Sequence, residues 1–157
     1  MDTQQHRLAL RMEIIWWIFT LIVLGGVLFP ILTKITHFPF LWTNVIFVVL
    51  FITMARYIFL LRHTFLAKKQ WIKFTLLFLC IPLIFWLISQ LNYFQTFLDE
   101  EGVESFLPLL SLEEQYSLGN YIRSEMIFFG VGALVSSVIF PIRMLISFWR
   151  TRNRGTV

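Results

Sequence analysis

Two arginines, Arg56 and Arg143, stand inside long apolar runs. A charge in such a place is costly and needs either a partner or a wet path to the surface. Each lies about one helical turn from the end of its run, so one outcome is snorkelling, with the guanidinium reaching the headgroups on its own stem. The other outcome is an ion pair. Glu13 opens the first apolar run at the same level, and apart from Asp2 it is the only acid at that end. The planar fork of an arginine suits a carboxylate, because it can take both oxygens at once. Snorkelling is the first expectation, and the sharper alternative is structural: Glu13 bridges to Arg56 or Arg143 and pins helices together.

Further polar residues lie toward the opposite ends of the second and third runs: Asn44, Ser89, Gln90 and Asn92. They either line an outward-facing polar cavity or hydrogen-bond between helices near the interface. In the last run, Gly132-x-x-x-Ser136 and Ala133-x-x-x-Ser137 are patterns of small residues that let a helix backbone come close. That helix belongs either to the same bundle or to a partner protein.

Catalytic patterns are not found. The acid pairs Glu100-Glu101 and Glu113-Glu114 could hold Ca²⁺ or do acid–base work, but their spacing fits no calcium loop, and they read as a solvated acidic surface. His6, His37 and His63 fall in three different connections, which does not suit a bis-histidine haem. The HExxH, GxSxG, P-loop and GxGxxG patterns do not occur. Cys80 is the single cysteine and lies in an apolar run, so it reads as a small buried hydrophobe, and no disulfide framework is expected. No cofactor is expected. Nor is an acid seen in the middle of any run, which speaks against a transporter coupled to protons or cations.

These residues must be held by helices. The chain has 157 residues, enough for one domain, and is 58% hydrophobic and 18% aromatic, with a mean hydropathy of +0.76. Soluble domains average about 45–50% apolar residues. Four runs are long enough to span a bilayer, at 14–32, 41–61, 74–91 and 126–148. The expected fold is all-α, a single polytopic domain built as a four-helix transmembrane bundle. The first run is too long for a secretory signal and lacks a cleavage site, so it reads as retained. Gly25-Gly26 thins it where another helix could approach, and Pro82 interrupts the third run.

The segment 95–125 breaks this pattern. It carries seven of the nine acids against one base, Arg123. Asp99-Glu100-Glu101-Gly102 reads as a helix end with glycine just past the last turn. Ser111-x-x-Glu114 fits a capping box and predicts a short interfacial helix, ended by Gly119, with Asn120 capping the fourth span. The apolar residues from Phe106 to Leu112 should dip into the interface or cap the bundle.

Bases set the threading. Eleven lie on or near the side of the two termini and the middle loop, and only Lys34 and Arg123 lie on the other. By the positive-inside rule both termini, the loop 62–73 and the basic tail 150–157 are cytoplasmic, and the acidic segment is external. The net charge of +4 is explained this way, without nucleic acid as a partner. The expected setting is the lipid bilayer of a bacterial inner membrane. The expected role is a non-enzymatic subunit or scaffold that binds another membrane protein or a second copy of itself. A small channel or transporter is the first alternative, and a membrane-embedded enzyme using the outer acids the second.

Overall fold

The computed structural model describes residues 3–60, 70–107 and 110–153. Four helices carry almost all of them: α1 (Thr3–Lys34), α2 (Leu41–Leu60), α3 (Gln70–Glu100) and α4 (Leu112–Asn153). Each is long and apolar enough to cross a membrane, as a multi-pass membrane protein requires. Helices suit this composition because every backbone polar group is satisfied within the segment. Arg62, Lys68, Lys69 and the basic residue Arg154 lie outside the described residues.

Contacts along the bundle set the directions. Asn44 meets Glu125, Tyr57 meets Phe140, and Ile58 meets Arg143, so α2 and α4 run parallel. Glu13 near the start of α1 meets Arg56 near the end of α2, so those two run antiparallel. On α3, Leu91 approaches Gly130 while Phe74 and Phe78 lie beside Met144 and Phe148, so α3 opposes α4. The result is an up-down-up-down bundle with both termini at one end. α4 is the central helix and packs most extensively on α2 and then on α3, while α1 is the loosely held member.

The core is aromatic at the end away from the termini. Phe40 stacks edge-on against Phe94 at 5.2 Å and Phe97 at 5.0 Å between ring centres, a favoured geometry for aromatic pairs. Two glycines of α4 let α2 come close. A Cβ on Gly130 would stand 2.6 Å from Leu91 and 2.7 Å from Phe47, and one on Gly132 would stand 2.8 Å from Phe51. Ser136 and Ser137 continue the buried face of α4. The small-residue pattern therefore packs within the bundle.

Helix extends further than the apolar runs. Of the described residues of the segment 95–125, only 101–107, 110 and 111 lie outside the α-helices. The end of α3 is as expected: Gly102 has φ 74°, and the Phe97 carbonyl accepts from both the Glu101 and Gly102 amides. A 3-10 turn (Val103–Phe106) follows, and Leu107 then plugs the core at 2% exposure. Ser111 does cap a helix, since its hydroxyl accepts from the Glu114 amide and donates to the Glu114 carboxylate. That helix is α4 itself. The separate interfacial helix predicted before Gly119 is not present as an element, and Asn120 is an exposed residue inside α4. Gly119 serves close approach instead: the spot where its Cβ would sit is 3.4 Å from Val103, so the 3-10 turn rests on the helix there. Leu112, expected at the interface, is 85% exposed on the first turn of α4.

Candidate functional site

Two polar clusters interrupt the apolar bundle, one near each end. At the end of the termini, Arg56 Nη2 donates to Glu13 Oε1 at 2.5 Å. The arginine is only 6% exposed and the glutamate 19%, so this pair is largely out of solvent. Burial of such a pair is offset only when the geometry is good and the remaining donors are used, and among the described residues Arg56 Nε finds no partner. Arg143 takes a different route. Its Nε donates to the backbone carbonyl of Ile58 on α2 at 3.1 Å. Of the two arginines, one binds Glu13 and the other holds the backbone of α2.

At the opposite end, Asn44 Nδ2 donates to Glu125 Oε1. Asn44 is fully buried and Glu125 is 8% exposed. Among the described residues Asn44 Oδ1 and Glu125 Oε2 have no hydrogen-bond partner. The elements that place them are plain: Asn44 lies one turn into α2, after the Phe38–Phe40 turn, and Glu125 lies on the same face of α4 as buried Ile122 and Met126. The Thr43 hydroxyl donates to Gln90 Oε1 at 3.2 Å, joining α2 to α3. Asn92 is exposed. Of the two outcomes open for Asn44, Gln90 and Asn92, hydrogen bonding between helices is what Asn44 and Gln90 do. Asn44 is turned to α4, Gln90 to Thr43, and Asn92 away from the core.

Closer to that end of the molecule, Lys34 Nζ pairs with Glu114 Oε1 at 2.5 Å across the gap between α1 and α4, with both side chains about half exposed. The Tyr121 hydroxyl donates to the Val27 carbonyl of α1 at 2.9 Å. Between them runs a groove of about 440 Å³, lined by Phe29, Pro30, Thr33, Lys34, Leu110, Glu114, Ser117, Leu118 and Tyr121. Tyr121 is among its lining residues and stands one helical turn from Glu125. Glu100 and Glu113 are exposed at the ends of α3 and α4, and Glu101 is exposed just past α3. Among the described residues no group of three or more His, Cys, Asp or Glu is placed to hold a metal ion.

Glu125 is the residue that sequence reasoning missed. It sits one position before the last apolar run, beside Arg123 and Ser124, and so counts as part of the acidic segment. The signal that identifies it is helical spacing. Ile122, Glu125, Met126, Phe129 and Ala133 recur at three or four residues, the period of one helix face. Compared with protein-family models, curated proteins and solved structures, the chain finds no match.

Proposed function

We propose that this protein is a small multi-pass subunit of a bacterial inner membrane, with both termini cytoplasmic and residues 101–111 external. It acts by binding another membrane protein, or a second copy of itself, through the open face of α1, and not by catalysis. The observation that carries this reading is the contrast among glycines. Gly119, Gly130 and Gly132 each lie under a side chain from a neighbouring element, whereas the Cβ positions of Gly25 and Gly26 meet nothing within 4 Å. Glycine inside a helix costs about 0.5–1 kcal/mol relative to alanine, and in α1 the bundle itself gains no contact for it. A flat patch of this kind is what lets the backbone of another helix approach in a membrane. The patch continues into Ile18, Leu21, Ile22 and Phe29, all about half exposed or more. The orientation rests on the distribution of bases.

The test is site-directed photo-crosslinking in native membranes, followed by mass spectrometry of the complex in mild detergent. A photoreactive residue at Gly26 should give one discrete protein adduct, at twice the chain mass for a second copy. The same residue at Trp42, exposed on α2, should not give that adduct. Lipid adducts alone at Gly26, with a monomer in the mass spectrum, would remove the reading.

One observation favours a small proton-linked transporter as a second reading: the Glu125 carboxyl inside the bundle, where ionisable residues mark ion and proton paths. Pyranine-loaded liposomes separate the two. Proton flux lost on Glu125→Gln, with the Gly26 adduct unchanged, would favour transport.

A further inference from the structure

Glu125 and Asn44 leave two buried atoms without partners, Oε2 of the acid and Oδ1 of the amide. An ionised carboxylate can only accept hydrogen bonds, and so can an amide oxygen. With Asn44 Nδ2 already donating to Oε1, the two groups are in contact, and each brings one further acceptor with nothing to fill it. A single proton removes both deficits. Placed on Oε2, it turns that oxygen into a donor, and Oδ1 is the free acceptor on the side chain already bound.

We propose that Glu125 and Asn44 form a proton-binding site inside the bundle. The neutral acid donates from Oε2 to Asn44 Oδ1 while Asn44 Nδ2 donates to Oε1, which closes a doubly hydrogen-bonded acid–amide ring. The ligand is the proton, and the site exists whether or not a partner binds α1.

The surroundings favour the neutral form. Among the described residues Glu125 takes part in no ion pair. On its own helix, Tyr121 commits its hydroxyl to Val27 of α1, and Arg123 and Ser124 are exposed. From α2, Thr43 is tied to Gln90 of α3. The charged group that α1 brings to this end, Lys34, is paired with Glu114 at the far side of the groove. A carboxylate in such a place, with one neutral partner, is disfavoured against the protonated acid. The groove lined by Tyr121 lies one helical turn along α4 from the carboxyl.

Infrared spectroscopy tests this on the full chain in lipid nanodiscs with ¹³C-labelled glutamate. At neutral pH the labelled wild type should show a protonated carboxyl stretch that shifts in D₂O. Glu125→Gln should lose that band, and Asn44→Leu should shift it by removing the ring. A labelled spectrum with carboxylate bands only at neutral pH overturns the proposal, and that result needs no variant to fold. The second readout is stability against pH. Glutamine can reproduce both hydrogen bonds of the neutral acid, so Glu125→Gln should fold. A proton held by the folded state and absent from the unfolded one makes stability fall as pH rises. Relative to Glu125→Gln, the wild type should lose about tenfold in its folding equilibrium constant per pH unit above about pH 5, until Glu125 ionises. Parallel pH profiles for the two proteins overturn the proposal.

Discussion

The pair of Glu13 and Arg56 predicts an asymmetry as well as a coupling. What a single substitution costs depends on which charge is left behind. Arg56→Met strands Glu13, which keeps 19% of its side-chain surface and can still recruit water. Glu13→Leu strands Arg56, which keeps only 6% and already has an unpartnered Nε. Removing one member of a buried pair costs about 3–5 kcal/mol, so Glu13→Leu should approach that range, and Arg56→Met should stay below it. The pair itself, as a hydrogen bond between charged groups, contributes about 1.5–3 kcal/mol. The double variant should therefore be more stable than the sum of the single losses predicts, by about that amount. Arg143 supplies the internal control. Its partner is the Ile58 carbonyl, so Arg143→Met and Glu13→Leu should add. The assay is a double-mutant cycle on unfolding in detergent, run for both arginines. Additivity of Glu13 with Arg56 within about 0.5 kcal/mol would refute the reasoning, as would equal coupling to Arg143.

The glycines predict a second contrast: Gly130→Ala forces Cβ against Phe47 and Leu91 and should lower stability by about 1–3 kcal/mol. Gly25→Ala meets open space and should raise the stability of the isolated chain by about 0.5–1 kcal/mol in the same unfolding assay. Gly102→Ala places a side chain at φ 74° and should cost about 1–2 kcal/mol, read as a lower midpoint of thermal unfolding. For the threading, a cysteine at exposed Glu113 in a Cys80→Ala background should react with impermeant maleimide in intact cells, and one at Arg150 only after lysis. The reverse pattern would invert the orientation.

The four spans were legible because they follow from a hard constraint, whereas the sequence offered a Glu13 bridge, to Arg56 or Arg143, only as the alternative to snorkelling. Apolar runs of membrane length have few other homes, and a buried arginine must find an acceptor. Local signals at Gly102 and Ser111 were equally clear, because each sits at a helix end where the backbone needs that residue. Glu125 was hidden because hydropathy averages over neighbours, while burial depends on the azimuth around the helix, and Arg123 and Ser124 point elsewhere. Gly119 misled for a related reason. A glycine after a polar stretch looks like a helix stop, and only the tertiary contact with Val103 shows that it is a landing place. The different fates of Asn44, Gln90 and Asn92 depend on the same azimuths, which spacing alone did not resolve between two helices.

The parallel packing of α4 against α2 has a mechanical consequence. Glu125 and Arg143 are eighteen positions apart, five full turns at about 3.6 residues per turn, so they share one line along α4 about 27 Å long. Both ends of that line are fastened to the same neighbour, at Asn44 and at the Ile58 carbonyl. Apolar side chains alone let a helix slide or roll at modest cost, since lipid and leucine offer similar surroundings. Two polar fasteners at such a separation forbid both movements. Slipping by one residue displaces each contact by about 1.5 Å and turns it by about 100°, which breaks the two together. The helices α2 and α4 therefore behave as a keyed shaft.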